Sequence, residues 1–346
     1  MMRRSIALIL LLALTLGVVS MAAAQDSTTV GPVTQRIIDR GELICGVNDS
    51  VAGFGIVNEA GEYEGFDVDF CRAVAAAVLG DANAVQFRPV VAADRQAVIQ
   101  SGEIDMMSRN TTWTLSRDVV WGAIFAPTTF YDGQGLGTRV ELGVESLADL
   151  DGGSVCVQQG TTTELNIADA IAAQGLDIDL PTFPDANSTW DGFLSGRCDA
   201  WTTDKSGILA FHATSESPGD FMILNDTLSK EPLGPLSPQS DPQFAEIIAW
   251  TIYGMITAEE EGITSENIDD FLDSEDPEIQ RLLGIGENPS GSYLGIDNDF
   301  MVNVIRQVGN YGEVYQRNLG VAPFNLQRGL NDLWSNGGLL YAMPFR

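Results

Sequence analysis

Apolar and polar positions along this chain fall into one pattern that occurs twice. Residues 42–47 form an apolar run that ends at Asn48-Asp49 and reads as a strand. A Gly-rich turn through Gly53 and Gly55 follows, then a β-turn over residues 61–65. Phe70, Val74, Ala77 and Val78 recur at helical spacing as far as Gly80, with Asp67 as the expected N-cap. Residues 85–91 predict a second strand, which Pro89 puts at a sheet edge or end. Asp94 is placed to cap a short helix to Ser101, and residues 104–107 predict a third strand. Strand–helix–strand–helix–strand predicts an α/β layer with parallel pairing.

The pattern restarts after a linker at residues 147–153, with strands at 155–157, near 181–183 and at 198–202. Between them lie a helix from about Gly160 to Gln174 and another around Trp190; a further helix begins near Asp204. Beyond residues 230–235 the spacing turns helical, and Asp241-Pro242 and Asp276-Pro277 each read as an N-cap followed by an N1 proline. The last stretch of chain adds helix and turns without recognisable chemistry.

The N-terminus changes what counts as the folded protein. Met1-Met2-Arg3-Arg4, an apolar run from Ile6 to Met21 and Ala22-Ala23-Ala24 are the parts of a secretory signal peptide. That run is shorter than the ~20 residues of a spanning helix, and no later segment qualifies. Residues 1–24 are therefore set aside, and the mature chain is expected to start at Gln25, exported and soluble. No cysteine follows the cleavage site to take a lipid, and residues 25–33 are expected to be loose.

Charge excludes several partners. The chain carries 48 acidic against 18 basic residues, a formal net charge of −30, and lysine occurs only at Lys205 and Lys230. Such a surface repels nucleic acid and anionic membrane, so neither is an expected partner. His212 is the one histidine, which removes most imidazole-based catalysis and the common zinc sites. The chain has no G-x-S-x-G elbow, GK[ST] phosphate loop or H-E-x-x-H helix, so no cofactor is expected.

Residues 105–118 gather donors after a strand-like run: Asn110, Thr111, Thr112, Thr114 and Arg117. An arginine fork beside hydroxyls suits a small carboxylate, although a polar surface turn has the same composition. Thr161-Thr162-Thr163-Glu164 is a capping-box sequence. The helix it opens would also offer unpaired N–H groups to an anion near Thr162. Asp204 stands at a strand end, where a carboxylate serves as helix cap or as ligand group. Phe54, Trp113 and Trp201 lie near the same turns and are, taken singly, core or rim aromatics.

Several co-linear stretches carry a resemblance: Gly65-Phe66-Asp67-Val68-Asp69-Phe70-Cys71-Arg72, Ser101-Gly102-Glu103-Ile104-Asp105, the loop from Arg109 to Arg117, and Tyr131-Asp132-Gly133-Gln134-Gly135. Cys156-Val157-Gln158-Gln159-Gly160-Thr161-Thr162-Thr163, Gly196-Arg197-Cys198-Asp199 and Lys230-Glu231-Pro232-Leu233-Gly234-Pro235 complete them. With these the chain resembles, from Arg40 to its C-terminus, the solute-binding protein of a polar amino-acid ABC importer, most closely the general L-amino-acid-binding type.

The resemblance implies a two-lobed α/β periplasmic-binding-protein fold of type II, with a hinge and a C-terminal helical extension. One lobe would comprise residues 35–132 and 237–346, the other 137–232, with crossings near 131–137 and 230–236. In similar proteins the loop arginine and nearby hydroxyls take the ligand α-carboxylate, a role that maps onto Arg117 and Thr112, with Asn110 where a serine is usual. The helix-start threonine maps onto Thr162 and the acid that takes the α-ammonium onto Asp204, while Phe54 lies in the turn that lines the pocket. Val51 falls near a position where an aromatic stacks on the ligand in the histidine-binding relatives.

The implied function is capture of free L-amino acids in the periplasm, with broad specificity, by a monomer that delivers them to ABC permease subunits. A periplasmic dehydratase of cyclic pre-aromatic acids on the same fold is the rival reading, separated by whether such acids are turned over. Export and an even cysteine count favour two disulfides among Cys45, Cys71, Cys156 and Cys198, with three possible pairings. On the implied two-lobed architecture, pairing within lobes, Cys45 with Cys71 and Cys156 with Cys198, leaves the hinge free.

Overall fold

The structure is a computed structural model that describes residues 30–287 and 290–346; the expected signal peptide and residues 25–29 lie outside the described residues. Helices are α1 (Pro32–Arg40), α2 (Phe66–Leu79), α3 (Arg95–Ser101), α4 (Leu115–Val120), α5 (Thr162–Gln174), α6 (Ala186–Leu194), α7 (Lys205–Thr214), α8 (Pro242–Glu260), α9 (Pro277–Leu283), α10 (Ser290–Leu294), α11 (Phe300–Val308) and α12 (Tyr311–Tyr315). Strands β1 (Leu43–Val47), β5 (Val85–Pro89), β6 (Met106–Met107), β7 (Ala123–Phe125) and β14 (Leu236–Pro238) build a five-stranded sheet in the order β5-β1-β6-β14-β7. Here β1 runs parallel to both β5 and β6, as the repeating pattern predicts, and β5 with its Pro89 is the edge strand.

A second sheet runs β10-β9-β11-β8-β12, from β8 (Phe130–Arg139), β9 (Val155–Gln158), β10 (Thr182–Phe183), β11 (Ala200–Asp204) and β12 (Phe221–Ile223). Its β9 is parallel to β10 and β11, while β8 is antiparallel to β11 and β12. A small sheet of β2 (Ser50–Val51), β3 (Gly55–Val57) and β4 (Tyr63–Glu64) occupies the turn region before α2.

The two large sheets are joined by a two-stranded ribbon. The first residues of β8 pair with β13 (Lys230–Leu233) in the register Phe130↔Leu233 to Gly133↔Lys230. From Gln134 onward the same strand pairs with β11 inside the second sheet.

Each sheet is covered by helices that bury an apolar face. Against the first sheet, α2 places Phe66 and Phe70 edge-to-face at 5.1 Å, and its alanines allow α8 and α11 to approach closely. A fully buried side chain of this size contributes roughly 1.5–3 kcal/mol. On one face of the second sheet Leu136, Val155, Val157, Ile167 and Ile171 form one cluster, and on the other Trp190, Phe193 and Trp201 form an aromatic one that His212 joins. Among the latter, Trp201 Nε1 donates to His212 Nε2 at 3.3 Å and burial pushes the imidazole down to about 4, so the histidine is a neutral core group.

Three local expectations are corrected. Residues 32 and 33 are helical rather than loose, because Pro32 opens α1 and the Asp241 carboxylate accepts from Val33 N (2.8 Å) and Thr34 N (3.1 Å). The same carboxylate accepts from Phe244 N at 2.9 Å, so one acid caps α1 and α8 together. Asp67 is not the cap of α2: Gly65 is, at φ 138°, where a Cβ would stand 2.3 Å from the Phe54 carbonyl oxygen. Lastly, the third strand is confined to β6; Asp105 before it still donates its N–H to the Ile44 carbonyl at 2.8 Å, and its carboxylate accepts from Arg36, Arg40 and the Ile44 N–H.

The disulfides are Cys45–Cys71, tying β1 to α2, and Cys156–Cys198, tying β9 to the turn before β11. Both lie within one sheet and its helices, in the expected pairing. The C-terminal segment returns to the ribbon, where Arg328 ion-pairs with Glu259 at 2.9 Å and stacks over Tyr311 and Tyr315. Among the described residues, no helix is long and apolar enough to cross a membrane.

Candidate ligand-binding site

Between the two sheets lies a cleft whose walls come from the loops that follow the strands, where an α/β sheet ordinarily binds its ligand. Arg95, Arg109, Asn110, Thr112 and Arg117 line it from the first sheet, and Thr161, Thr162, Thr163, Trp201 and Asp204 from the second. Of the expected site residues, the structure brings together Asn110, Thr112, Arg117, Thr162 and Asp204.

Loop 108–113 is held from beneath. The Asp67 carboxylate accepts from Asn110 N (2.6 Å) and Ser108 Oγ (3.4 Å), which is the use the chain makes of an acid near the start of α2. Asn110 takes the left-handed conformation at φ 31°, tolerated by its short amide, and accepts from Asn48 Nδ2 at 3.0 Å. Thr114 caps α4, and Arg117 folds back so that Nη1 donates to the Thr112 carbonyl at 2.9 Å while its guanidinium lies 5.2 Å from the Trp121 ring. These contacts fix the guanidinium and leave donors for the cleft.

On the second sheet, Thr161 accepts from Glu164 N at 3.1 Å as the cap of α5, but the Glu164 carboxylate reaches Gly160 N (2.7 Å) instead of closing the box on Thr161. Thr162 is the first helical residue, and a helix leaves the N–H groups of its first turn without intrahelical acceptors. Asp204 sits at the N-cap position of α7 but makes no side-chain cap bond. Its carboxylate, 6% exposed, accepts no hydrogen bond from the described residues and faces the cleft.

Burial and charge set the electrostatics. Burial pushes Asp204 well above the usual carboxylate range, with the charges of Asp132 and Glu231 acting the same way and Arg117 and Arg95 opposing. Arg117 is lowered chiefly by burial, against the pull of Glu231 and Asp204. Arg109 is lowered to about 10, again by burial first, and Arg95 is lowered well below its ordinary value by burial and by its two arginine neighbours. A buried cleft that crowds guanidinium groups opposite a carboxylate without donors is made for a small molecule carrying both charges.

Phe54 departs from its expected place. It is 2% exposed, packs edge-to-face on Phe130 at 5.1 Å and on Phe66 at 6.0 Å, and is not among the cleft residues. The apolar contact from that turn is Val51, which does line the cleft. Trp113 stacks on Phe125 at 5.6 Å and Trp201 reaches the cleft from the aromatic cluster.

Sequence reasoning missed two residues. Arg95, at the start of α3, looks like a surface cation, yet it is 3% exposed and its Nη2 donates across the cleft to the Gly160 carbonyl at 3.1 Å. Glu231, read only as part of the crossing, is 1% exposed and accepts from Thr112 and Thr162. Its signal is the alternation of β13, which puts position 231 on the same face as Leu233.

Comparison with known proteins adds to this geometry. The family model described as bacterial extracellular solute-binding proteins, family 3, matches residues 43–258. The general L-amino acid-binding periplasmic protein AapJ of Rhizobium johnstonii is 46% identical over 330 residues, 94% of this chain and 95% of its own. The glutamate/glutamine/aspartate/asparagine-binding protein BztA of Rhodobacter capsulatus is 42% identical over 332 residues, 95% of this chain and 98% of its own. Among solved structures, an ABC transporter periplasmic binding protein from Brucella ovis with glutathione bound superposes with a TM-score of 0.88 at 43% identity, covering 90% of this chain and 99% of that one.

Proposed function

We propose, from the premise that this chain belongs to the bacterial extracellular solute-binding proteins of family 3, that its cleft captures free L-amino acids and that it delivers them to an ABC permease. It is a binding protein of the periplasm, not an enzyme, and its named relatives offer no support for a dehydratase. The observation that carries the ligand class is Asp204: a buried carboxylate without donors in a cleft that also holds Arg117. An α-amino acid supplies the missing ammonium to the one and a carboxylate to the other.

In this reading the carboxylate lies against Arg117 and the first turn of α5 at Thr162, the ammonium against Asp204, and Asn110 and Thr112 complete the wall. Phe54 supports the turn from the core without touching the ligand. The lobes correspond to residues 35–132 with 237–346, and 137–232; the ribbon of β8 and β13 supports crossings near 131–137 and 230–236. The protein acts as a monomer, and residues 1–24 direct export. Broad side-chain choice follows if the contacts are made to the head group shared by all amino acids.

Charge-assisted hydrogen bonds contribute roughly 1.5–3 kcal/mol each, so three or four, less ordering costs, suffice for a micromolar or tighter site. Calorimetry with the twenty amino acids, their N-acetyl derivatives and simple amines tests this. Amino acids should bind and the singly charged analogues should bind about a hundredfold or more weakly; equal binding of N-acetyl ligands refutes the paired-charge site. Glutathione belongs in the same series, because its γ-glutamyl end carries a free ammonium and α-carboxylate and the Brucella ovis relative holds it.

A further inference from the structure

Glu231 projects from β13 opposite Asp132, with Lys230 turned outward. A carboxylate buried to 1% exposure persists only where donors replace its water. Thr112 Oγ1 (2.6 Å) and Thr162 Oγ1 (3.0 Å) donate to Oε2, while Asn166 Nδ2 (3.0 Å) and Ser229 Oγ (2.5 Å) donate to Oε1. These donors come from different bodies. Thr112 is tied to the ribbon itself, by its bridge to Leu233 and by Trp113 N donating to the Pro232 carbonyl at 2.8 Å. Thr162 and Asn166 are on α5, which packs against β9 and β11 of the second sheet. Glu231 is not among the residues that line the cleft; it stands behind the two threonines.

We propose that Glu231 is a positioning residue that latches the cleft shut, its carboxylate joining the ribbon side to α5 in bonds that exist only when the second sheet lies against the first. This rests on reading the cleft as the amino-acid site. Because the latch touches no ligand atom, it strengthens every ligand by one common factor and leaves their order unchanged. It also orients the site. A threonine hydroxyl has one proton, and with that proton on Glu231, Thr112 and Thr162 turn lone pairs toward the cleft. Their hydroxyls then accept from the ligand ammonium, and the carboxylate falls to Arg117 and the N–H groups of α5.

The test uses the mature chain with Glu231→Gln and, separately, Asn166→Ala. Calorimetry with glutamate, glutamine and leucine is combined with single-molecule energy transfer between dyes on the two lobes, with and without ligand. Where the closed form is the binding-competent one, apparent affinity falls by the factor by which that form is depopulated. Glu231→Gln is expected to weaken all three ligands equally, roughly tenfold, through faster dissociation, and Asn166→Ala to do so to a smaller extent. Losses that differ between ligands would make Glu231 a contact residue and overturn the latch. Tighter binding would do the same, by showing that the carboxylate competes with the ligand for the threonines. If the parent bound no amino acid, the reading of the cleft would fail while the latch stayed testable in the ligand-free closed fraction: a fall in both variants supports it, and no change overturns it. Asn166→Ala carries the test should Glu231→Gln fail to fold.

Discussion

Asn331 pairs with Tyr131 as a neighbouring strand would: its Oδ1 accepts from Tyr131 N at 2.6 Å and its Nδ2 donates to the Tyr131 carbonyl at 3.1 Å. Tyr131 lies in the ribbon, opposite Pro232, so the C-terminal segment grips the connection between the sheets. Asn331→Ala leaves both groups without partners. At roughly 1–3 kcal/mol for each buried group left unsatisfied, the variant should lose about 2 kcal/mol in urea unfolding. Asn331→Asp, which keeps the acceptor, should lose less. Unchanged stability in both would show that the grip is idle.

Arg117→Ala and Asp204→Asn should each weaken amino-acid binding by at least about 2 kcal/mol, because each leaves one ligand charge without its partner in a closing cleft. Phe54→Leu provides the contrast. Its ring packs on Phe130 and Phe66, so the change should cost stability, about 1 kcal/mol, with little effect on affinity. Calorimetry and thermal unfolding on the same preparations separate the outcomes. A Phe54 variant that loses binding at full stability would return that ring to the ligand.

Acidification should act oppositely on the stability that Asp67 supplies and on binding. Burial, opposed by Asn110 N–H, the Arg109 charge and Ser108, pushes Asp67 up from 3.8 to about 6. A carboxyl raised in the folded state contributes stability that is complete below its unfolded value and lost as pH rises through the folded one. Between pH 7 and pH 5 Asp67 should therefore add about 1 kcal/mol of the roughly 3 kcal/mol it contributes at full protonation, read as the difference between the parent and Asp67→Asn because His212, held down at about 4, acts the other way. The ligand ammonium favours ionised Asp204, so binding expels a proton and affinity should fall as pH falls. Chemical unfolding of parent and variant at both pH values checks the first, and calorimetry in buffers of different ionisation enthalpy checks the second. Absence of proton release on binding would remove Asp204 from the ammonium site.

What the sequence made legible was whatever periodicity or cap chemistry governs. The strand of residues 42–47, the helix from Thr162 and the Asp-Pro starts at 241 and 276 are local decisions made by alternation, a hydroxyl and a fixed φ. Asp67, Asp204 and Glu231 are harder because each sits where a local role is available and a distant one is taken. Asp204 occupies a cap position without capping, and Asp67 supports a loop more than forty residues away in sequence. Phe54 was drawn into the core by Phe66 and Phe130, neighbours that only the fold supplies. Arg95 looks like any first-turn cation until the second sheet covers it with Gly160.

The disulfides should be separable from binding. Their sequence separations are 26 and 42 residues, for which loop closure in the unfolded chain gives roughly 3–4 kcal/mol each. Replacing Cys45 and Cys71, or Cys156 and Cys198, pairwise by alanine should lower the unfolding temperature and leave amino-acid affinity nearly intact in the folded fraction. Non-reducing peptide mapping should return Cys45 with Cys71 and Cys156 with Cys198. A large affinity change at retained stability would mean that a bridge sets the cleft geometry.

The ribbon of β8 and β13 has a consequence for how such a protein can be rebuilt. Asp132 and Glu231 face each other in its register, so the chain leaves for the second sheet and comes back at adjacent points. The intervening segment is in effect a cassette with its two ends side by side. A two-residue hairpin is the shortest natural way to close an antiparallel pair. The first sheet could be sealed that way with the cassette removed, and the cassette of a relative could be grafted on without moving the host strands. Each half would keep its own cross-link, since Cys45–Cys71 stays with the host and Cys156–Cys198 travels with the graft.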